Sequence, residues 1–234
     1  MRRTHQRGIA IGPILYIVAI LAVLASAIAA GSGAFNSDTS AISAKAQATA
    51  ILGYAYEVKL GVDRVLGHGC KDTDISFENP VVGGYINPNS PSDKSCHVFD
   101  INGGGIIWRN PPVNVSGYGE YFYSGSHGLV GTSSPVGGPN PTQELVLILP
   151  NIPKNVCQEI NQIIFSNSSI INIGGGFGFV DGAKFMGIYR YGYTIFNNLP
   201  FSTCSKLNST HYNPVANPII KTDEYHFYKV LIAH

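Results

Sequence analysis

Residues 9–30 read IAIGPILYIVAILAVLASAIAA, from Ile9 to Ala30, with no charged side chain. As a helix this 22-residue run would span roughly 33 Å, enough to cross a bilayer core of about 30 Å. The preceding segment, Met1 to Gly8, holds Arg2, Arg3 and Arg7 and no acid. A basic flank keeps its own side of the membrane, so the N-terminus is expected in the cytoplasm and everything after residue 30 beyond the bilayer. Composition alone allows two fates for the run. Ala25-Ser26-Ala27 fits a signal-peptidase site, although the run exceeds the usual apolar core of about 7–15 residues. An uncleaved signal anchor is the other.

Beyond Gly31-Ser32-Gly33 the pattern changes. Ala48, Ile51, Leu52, Ala55, Val58, Val62, Val65 and Leu66 recur at steps of about three and four, which is one face of a helix. Lys45, Glu57, Lys59, Asp63 and Arg64 lie mostly off that face. Gly67-His68-Gly69 is a stop signal. Residues 9–66 therefore predict one long helix, bent at Gly31–Gly33. Its first part is apolar all round and its second part carries a single buried stripe.

The leader MRRTHQRG, the junction Gly8-Ile9, the apolar run to Ala30 and the amphipathic extension to Leu66 resemble the type IV pilin and pseudopilin family. The resemblance implies that a prepilin peptidase cuts after Gly8 and leaves Ile9 as the first mature residue. A residue without a side chain lets the backbone approach the peptidase's catalytic groups. The family usually carries Glu at the fifth mature position, thought to pair with a neighbouring subunit's terminal amine. This chain has Pro13 there, which speaks for a minor pilin or pseudopilin. Pro inside a helix costs about 3 kcal/mol but little in a first turn, so Pro13 suits a helix that begins at Ile9. Ala22, Ala25, Ala29, Gly31 and Gly33 supply small residues for close helix packing. The implied partners are other pilin-like subunits, the prepilin peptidase and membrane lipid. The implied location is the inner membrane with an extracytoplasmic head, assembled into a periplasmic or cell-surface filament. A competing expectation is a permanently anchored periplasmic binding or adhesion module that keeps residues 1–8 and forms no filament.

The sequence therefore divides into a basic leader (1–8), a transmembrane and amphipathic helix (9–69) and a head (70–234). The whole chain has 15 Lys+Arg against 14 Asp+Glu and only 12% charged residues, about half the usual share. A net charge of +1 leaves no basic footprint for nucleic acid. Gly 27 and Pro 14 show no period, which excludes collagen, and Tyr 13 with Phe 11 is too aromatic for a disordered chain. The head, with nine basic and eleven acidic residues, alternates short apolar runs with turn residues. Strands are predicted at Val81–Tyr85, His97–Ile101, Gly105–Trp108, Glu120–Tyr123, Leu145–Leu149, Phe177–Val180, Phe185–Tyr193 and Glu224–Ile232. A helix is predicted from Pro153 to Phe165 on the spacing of Val156, Ile160, Ile163 and Ile164. The expected fold class is α+β: a long N-terminal helix packed on a disulfide-bonded head with an antiparallel sheet. Two long polar loops, Asn87–Ser92 and Gly131–Pro141, are read as surface decoration, with binding surfaces as the alternative.

Cys70, Cys96, Cys157 and Cys204 all follow the apolar run, which predicts an oxidising compartment and two disulfides. Of the three connectivities, Cys70–Cys96 with Cys157–Cys204 joins neighbours in sequence and is favoured; the other two stay open. His68, His97, His127, His211, His226 and His234 make no zinc spacing with them, and no metal or other cofactor is expected. Gly174-Gly175-Gly176-Phe177-Gly178 lacks the Lys and Ser/Thr of a phosphate loop. Gly125-Ser126-His127-Gly128 is no nucleophile elbow, because Ser124 stands where the first Gly belongs. Asp72, Asp74 and Glu78 do not follow the calcium-loop spacing. Asn114, Asn167 and Asn208 each open a glycosylation sequon, read as chance matches in an Asn- and Ser-rich surface. The expected role is assembly, without catalysis.

Overall fold

The computed structural model describes residues 40–117, 119–129, 143–173, 184–189, 193–195, 201–207 and 224–233. Residues 44–234 cluster as one compact unit. Helix α1 spans residues 40–67. Ala48, Ile51, Ala55, Val58, Val62 and Val65 lie on one side of it and are fully buried. They share a core with Leu145, Leu147, Leu149 and Phe227. The helix ends where Gly69 takes φ +92°, a left-handed turn that glycine adopts without strain. There the Cys70 amide donates back to the Val65 carbonyl at 3.2 Å.

Residues 70–117 form a lobe with almost no regular structure. It contains one short 3-10 turn, Asp72–Asp74, and a single bridge between Ser76 and His97. Side chains do the work that a ladder does elsewhere. The Asn87 carboxamide donates to the Thr73 and Ile75 carbonyls at 2.9 and 2.7 Å. The Asn79 carboxamide oxygen accepts from the amides of Val81 and Val82 at 3.1 and 2.7 Å. A disulfide ties Cys70 to Cys96. The Arg64 guanidinium reaches from α1 to the Gly104 carbonyl. At Gly104 a Cβ would run into the Val98 backbone, so the 103–105 turn can close on that segment only as glycine.

Among the described residues six strands follow: β1 (Phe122–Leu129), β2 (Glu144–Ile152), β3 (Ile171–Ile173), β4 (Tyr193–Ile195), β5 (Ser202–Leu207) and β6 (Tyr225–Ile232). Helix α2 (Lys154–Phe165) follows β2 after Pro153 and ends at Ser166, which has φ +55°. The sheet order is β3-β5-β6-β2-β1-β4. β2 is central, with Leu145 through Leu149 fully buried, so both faces are covered. A second disulfide joins Cys157 of α2 to Cys204 of β5. Beside it, buried Asn161 satisfies the strand through four bonds. Its carboxamide oxygen accepts from the Cys204 amide (2.9 Å) and Thr203 Oγ1 (3.1 Å), and its nitrogen donates to the Cys204 and Ser169 carbonyls (2.8 and 2.9 Å).

This architecture corrects the expected fold class on two counts. The sheet is mixed rather than antiparallel: β1 pairs with β4 and β3 with β5 in parallel. Parallel neighbours need a long crossover, which local residue patterns do not announce. Nor do the described residues form a membrane-crossing helix set on a separate head. Among the described residues no helix is long and apolar enough to cross a membrane. From Ala44 onward α1 belongs to the same compact unit as the sheet, because its apolar stripe is a wall of that core. Residues 9–39 lie outside the described residues. The strands expected at Val81–Tyr85, His97–Ile101 and Gly105–Trp108 are instead loops and turns.

Candidate functional site

Three places on the molecule bring chemistry-bearing residues together. The first is the outward face of α1. Ala46, Thr49, Gly53, Tyr56 and Leu60 are exposed and fall at alternating steps of about three and four residues, which is one stripe of a helix. Tyr56 is 57% and Leu60 60% exposed, and a Cβ at Gly53 would meet nothing within 4 Å. The stripe carries no charge. Lys229 of β6 places its ammonium 4.1 Å from the Tyr56 ring centroid. Burial and the nearby Lys59 charge push the Lys229 ammonium below its ordinary pKa. Ion pairs Lys59–Asp63 and Arg109–Glu57 involve the adjoining positions.

The second place is inside the sheet. Ser124 Oγ lies 3.1 Å from His127 Nδ1, and His127 is register partner to Glu144 across β1 and β2. The β1 bulge between Ser124 and His127 permits the first contact. The hydroxyl in reach of the imidazole is thus Ser124, not Ser126, whose amide donates to Ser124 Oγ at 3.2 Å. All three side chains are buried, so no substrate reaches them. Burial pulls the His127 imidazole down to about 3, and does the same to His226 in β6. Both rings are therefore neutral core members at neutral pH.

The third place is a groove of about 550 Å³ in the irregular lobe. Its walls come from residues 78–80, 94–101 and 105–108, including Glu78, His97, Phe99, Ile106 and Trp108. The Cys70–Cys96 disulfide and the Gly104 turn fix two of the three walls. His97 Nδ1 stands 4.0 Å from Glu78 Oε2, and Lys94 Nζ 3.7 Å from Asp100 Oδ2. Asp100 is further engaged, because its Oδ1 accepts the Asn102 amide at 3.0 Å. Burial pushes the His97 imidazole below its ordinary value against the pull of Glu78. Ile101 and Ile107, 87% and 73% exposed, stand at its rim.

The residues singled out from sequence fare differently. Cys70, Cys96, Cys157 and Cys204 form two disulfides. Gly8, Ile9, Pro13, Ala22, Ala25, Ala29, Gly31 and Gly33 lie outside the described residues, as do Gly174–Gly178 and Gly131–Pro141. Asp72 and Asp74 are spent on local turns: Asp72 accepts the Thr73 amide and Asp74 the Lys71 amide. Asn87–Ser92 is a turn pinned by Asn87, whose oxygen accepts the Asn89 amide. Asn114 and Asn167 are exposed. Among the described residues no three His, Cys, Asp or Glu side chains gather as a metal-holding group. Sequence reading missed the groove. The signal available was the chain's single tryptophan, Trp108, beside two isoleucines after three glycines. Comparison with protein-family models, curated proteins and solved structures finds nothing that matches this chain.

Proposed function

We propose that this protein is a pilin-like structural subunit, held in the inner membrane by the charge-free run Ile9–Ala30 and assembled with copies of itself or related subunits. The observation that carries this reading is the uncharged outward stripe of α1, Ala46, Thr49, Gly53, Tyr56 and Leu60, opposite the stripe buried in the core. An exposed helix face of small residues with two larger knobs suits close packing against another helix. The leader and the Gly8-Ile9 junction add a processing signal of the kind such subunits carry. Prepilin peptidase and membrane lipid are the other partners of this reading. Pro13 in place of the usual Glu favours a minor subunit. The head would then sit outside the membrane, where its two disulfides are chemically at home. The single substitution Gly53→Glu puts a charge into the stripe without touching the core. We expect the variant to fold, keep both disulfides and disappear from the sheared filament fraction. Wild-type protein that shows an intact Met1 terminus and stays monomeric in membrane cross-linking overturns the reading.

A second reading draws on the groove: an anchored extracytoplasmic binding module that is not assembled. Intact mass separates the two, since assembly goes with a terminus at Ile9 and the module with a terminus at Met1.

A further inference from the structure

We propose that the groove of the irregular lobe binds an organic ammonium ion, its charge against the Glu78 carboxylate and its hydrocarbon against Phe99 and Trp108. This goes beyond assembly and uses none of the residues of the α1 stripe. Four observations lead to it. The groove, about 550 Å³, has the size of a small-molecule site. It is lined by two aromatic rings, and aromatic faces attract organic cations. The Glu78 carboxylate is only half covered and accepts no hydrogen bond within the described residues; its nearest cationic candidate is His97 at 4.0 Å. Asp100, by contrast, is satisfied by Lys94 and by the Asn102 amide. Burial pushes the His97 imidazole below its ordinary value; the other charged lining side chains are two carboxylates and one ammonium, with the Arg64 guanidinium at the Gly104–Gly105 end, so the Glu78 end favours cations over anions. Ile101 and Ile107 at the rim give apolar surface to the carbon skeleton of the ligand.

The walls are set before any ligand arrives. The Cys70–Cys96 disulfide anchors the segment at His97, and the Arg64 contact to the Gly104 carbonyl together with the closed 103–105 turn anchors the segment that leads to Ile106 and Trp108. A preformed site loses little ordering entropy on binding. Gly61 of α1 adds to this: it lets the Ile106 side chain seat directly on the helix, and a Cβ there would press to 3.1 Å from Val98 Cγ1.

Trp108 is the only tryptophan in the chain, so its fluorescence reports the groove alone. The experiment uses full-length protein in a non-ionic detergent. It is titrated with choline, with butylammonium, with 3,3-dimethyl-1-butanol as the neutral counterpart of choline, and with hexanoate. We expect a saturable change with an ammonium ion, about tenfold weaker binding of the neutral counterpart, and none of hexanoate. Preference for choline or for butylammonium assigns a methylated or a primary amine as the ligand, and either supports the proposal. Glu78→Gln, at a half-exposed position, should weaken binding about tenfold, and Lys94→Met should tighten it. Equal binding of choline and its neutral counterpart, unchanged binding in Glu78→Gln, or no saturable change with either ammonium ion overturns the proposal.

Discussion

The irregular lobe, residues 70–117, and the sheet with α2 are each closed by one disulfide, yet they are ordered by different means. In the sheet, backbone groups pair with one another along β2, β6 and β5, and apolar side chains fill both faces of β2. In the lobe, backbone groups pair mostly in local turns, such as the Gly104 amide on the His97 carbonyl, and side chains add to them: Asn79, Asn87, Asp72, Asp74 and Asp100 each hold a turn. A ladder leaves no peptide group for a ligand and hides its side chains. Turn chemistry leaves Ile101, Ile107 and Glu78 at the surface, around a cavity. Ordered irregular structure is thus where this molecule can present a site, and the sheet is where it stores stability.

The sharpest way to break that division is to cut the link between its halves. Phe77, fully buried in the lobe, stacks on Tyr123 of β1 with ring centroids 4.3 Å apart. Phe77→Ala should cost about 3–5 kcal/mol in urea denaturation, because it leaves a cavity between the two regions. The next largest effect comes from the disulfides. Replacing either pair by alanine should cost about 2–4 kcal/mol. Hydrogen exchange should tell the pairs apart. Loss of Cys70–Cys96 should expose amides only within the lobe, which has no ladder behind it. Loss of Cys157–Cys204 should lower protection across β5, β6 and α2 together. Uniform loss in both variants would mean that the two regions unfold as one. The smallest effect is on the pH profile. His226 is held at about 3 in the folded protein by burial, well below the ordinary histidine value. Its contribution is complete above the unfolded value of about 6.5 and is lost as pH falls toward 3, at up to about 1.4 kcal/mol per pH unit. Glu224, raised by burial from 4.5 and 3.7 Å from the His226 ring, works in the opposite sense: its contribution is present below about 4.5 and is lost as pH rises through its folded value. His226→Asn should therefore flatten the decline of stability between pH 6 and 4. An unchanged slope in the variant would place the acid sensitivity elsewhere.

The sequence announces what repeats and hides what depends on partners. The α1 stripe from Ala48 to Val65 and the helix after Pro153 are visible because a buried helix face recurs with a fixed period. β2 and β6 are visible because they are dense in β-branched and aromatic residues. β5, Ser202–Leu207, is not: it reads Ser-Thr-Cys-Ser-Lys-Leu, a polar segment that Asn161 and the disulfide make fit for burial. Val81–Tyr85 and His97–Ile101 have strand composition, but among the described residues their ladder pairing is limited to the Ser76–His97 bridge, and turns take over. The groove was illegible for a related reason. Glu78, His97 and Trp108 mean nothing at their separations until Cys70–Cys96 and Gly104 bring three loops together. Neither parallel pairing could be seen either, since both partners of each pair lie far apart in the chain.

Within the described residues the two outer strands of the sheet, β3 and β4, span three residues each. An outer strand is a template on which another chain can extend the sheet, and its reach scales with its length. The three described residues of each edge offer few free peptide groups to an incoming strand. Where many copies are crowded side by side, as in a membrane patch or a fibre, this sheet is a poor seed for uncontrolled cross-strand growth. On the proposed assembly reading, such short edges leave contact between copies to the exposed face of α1.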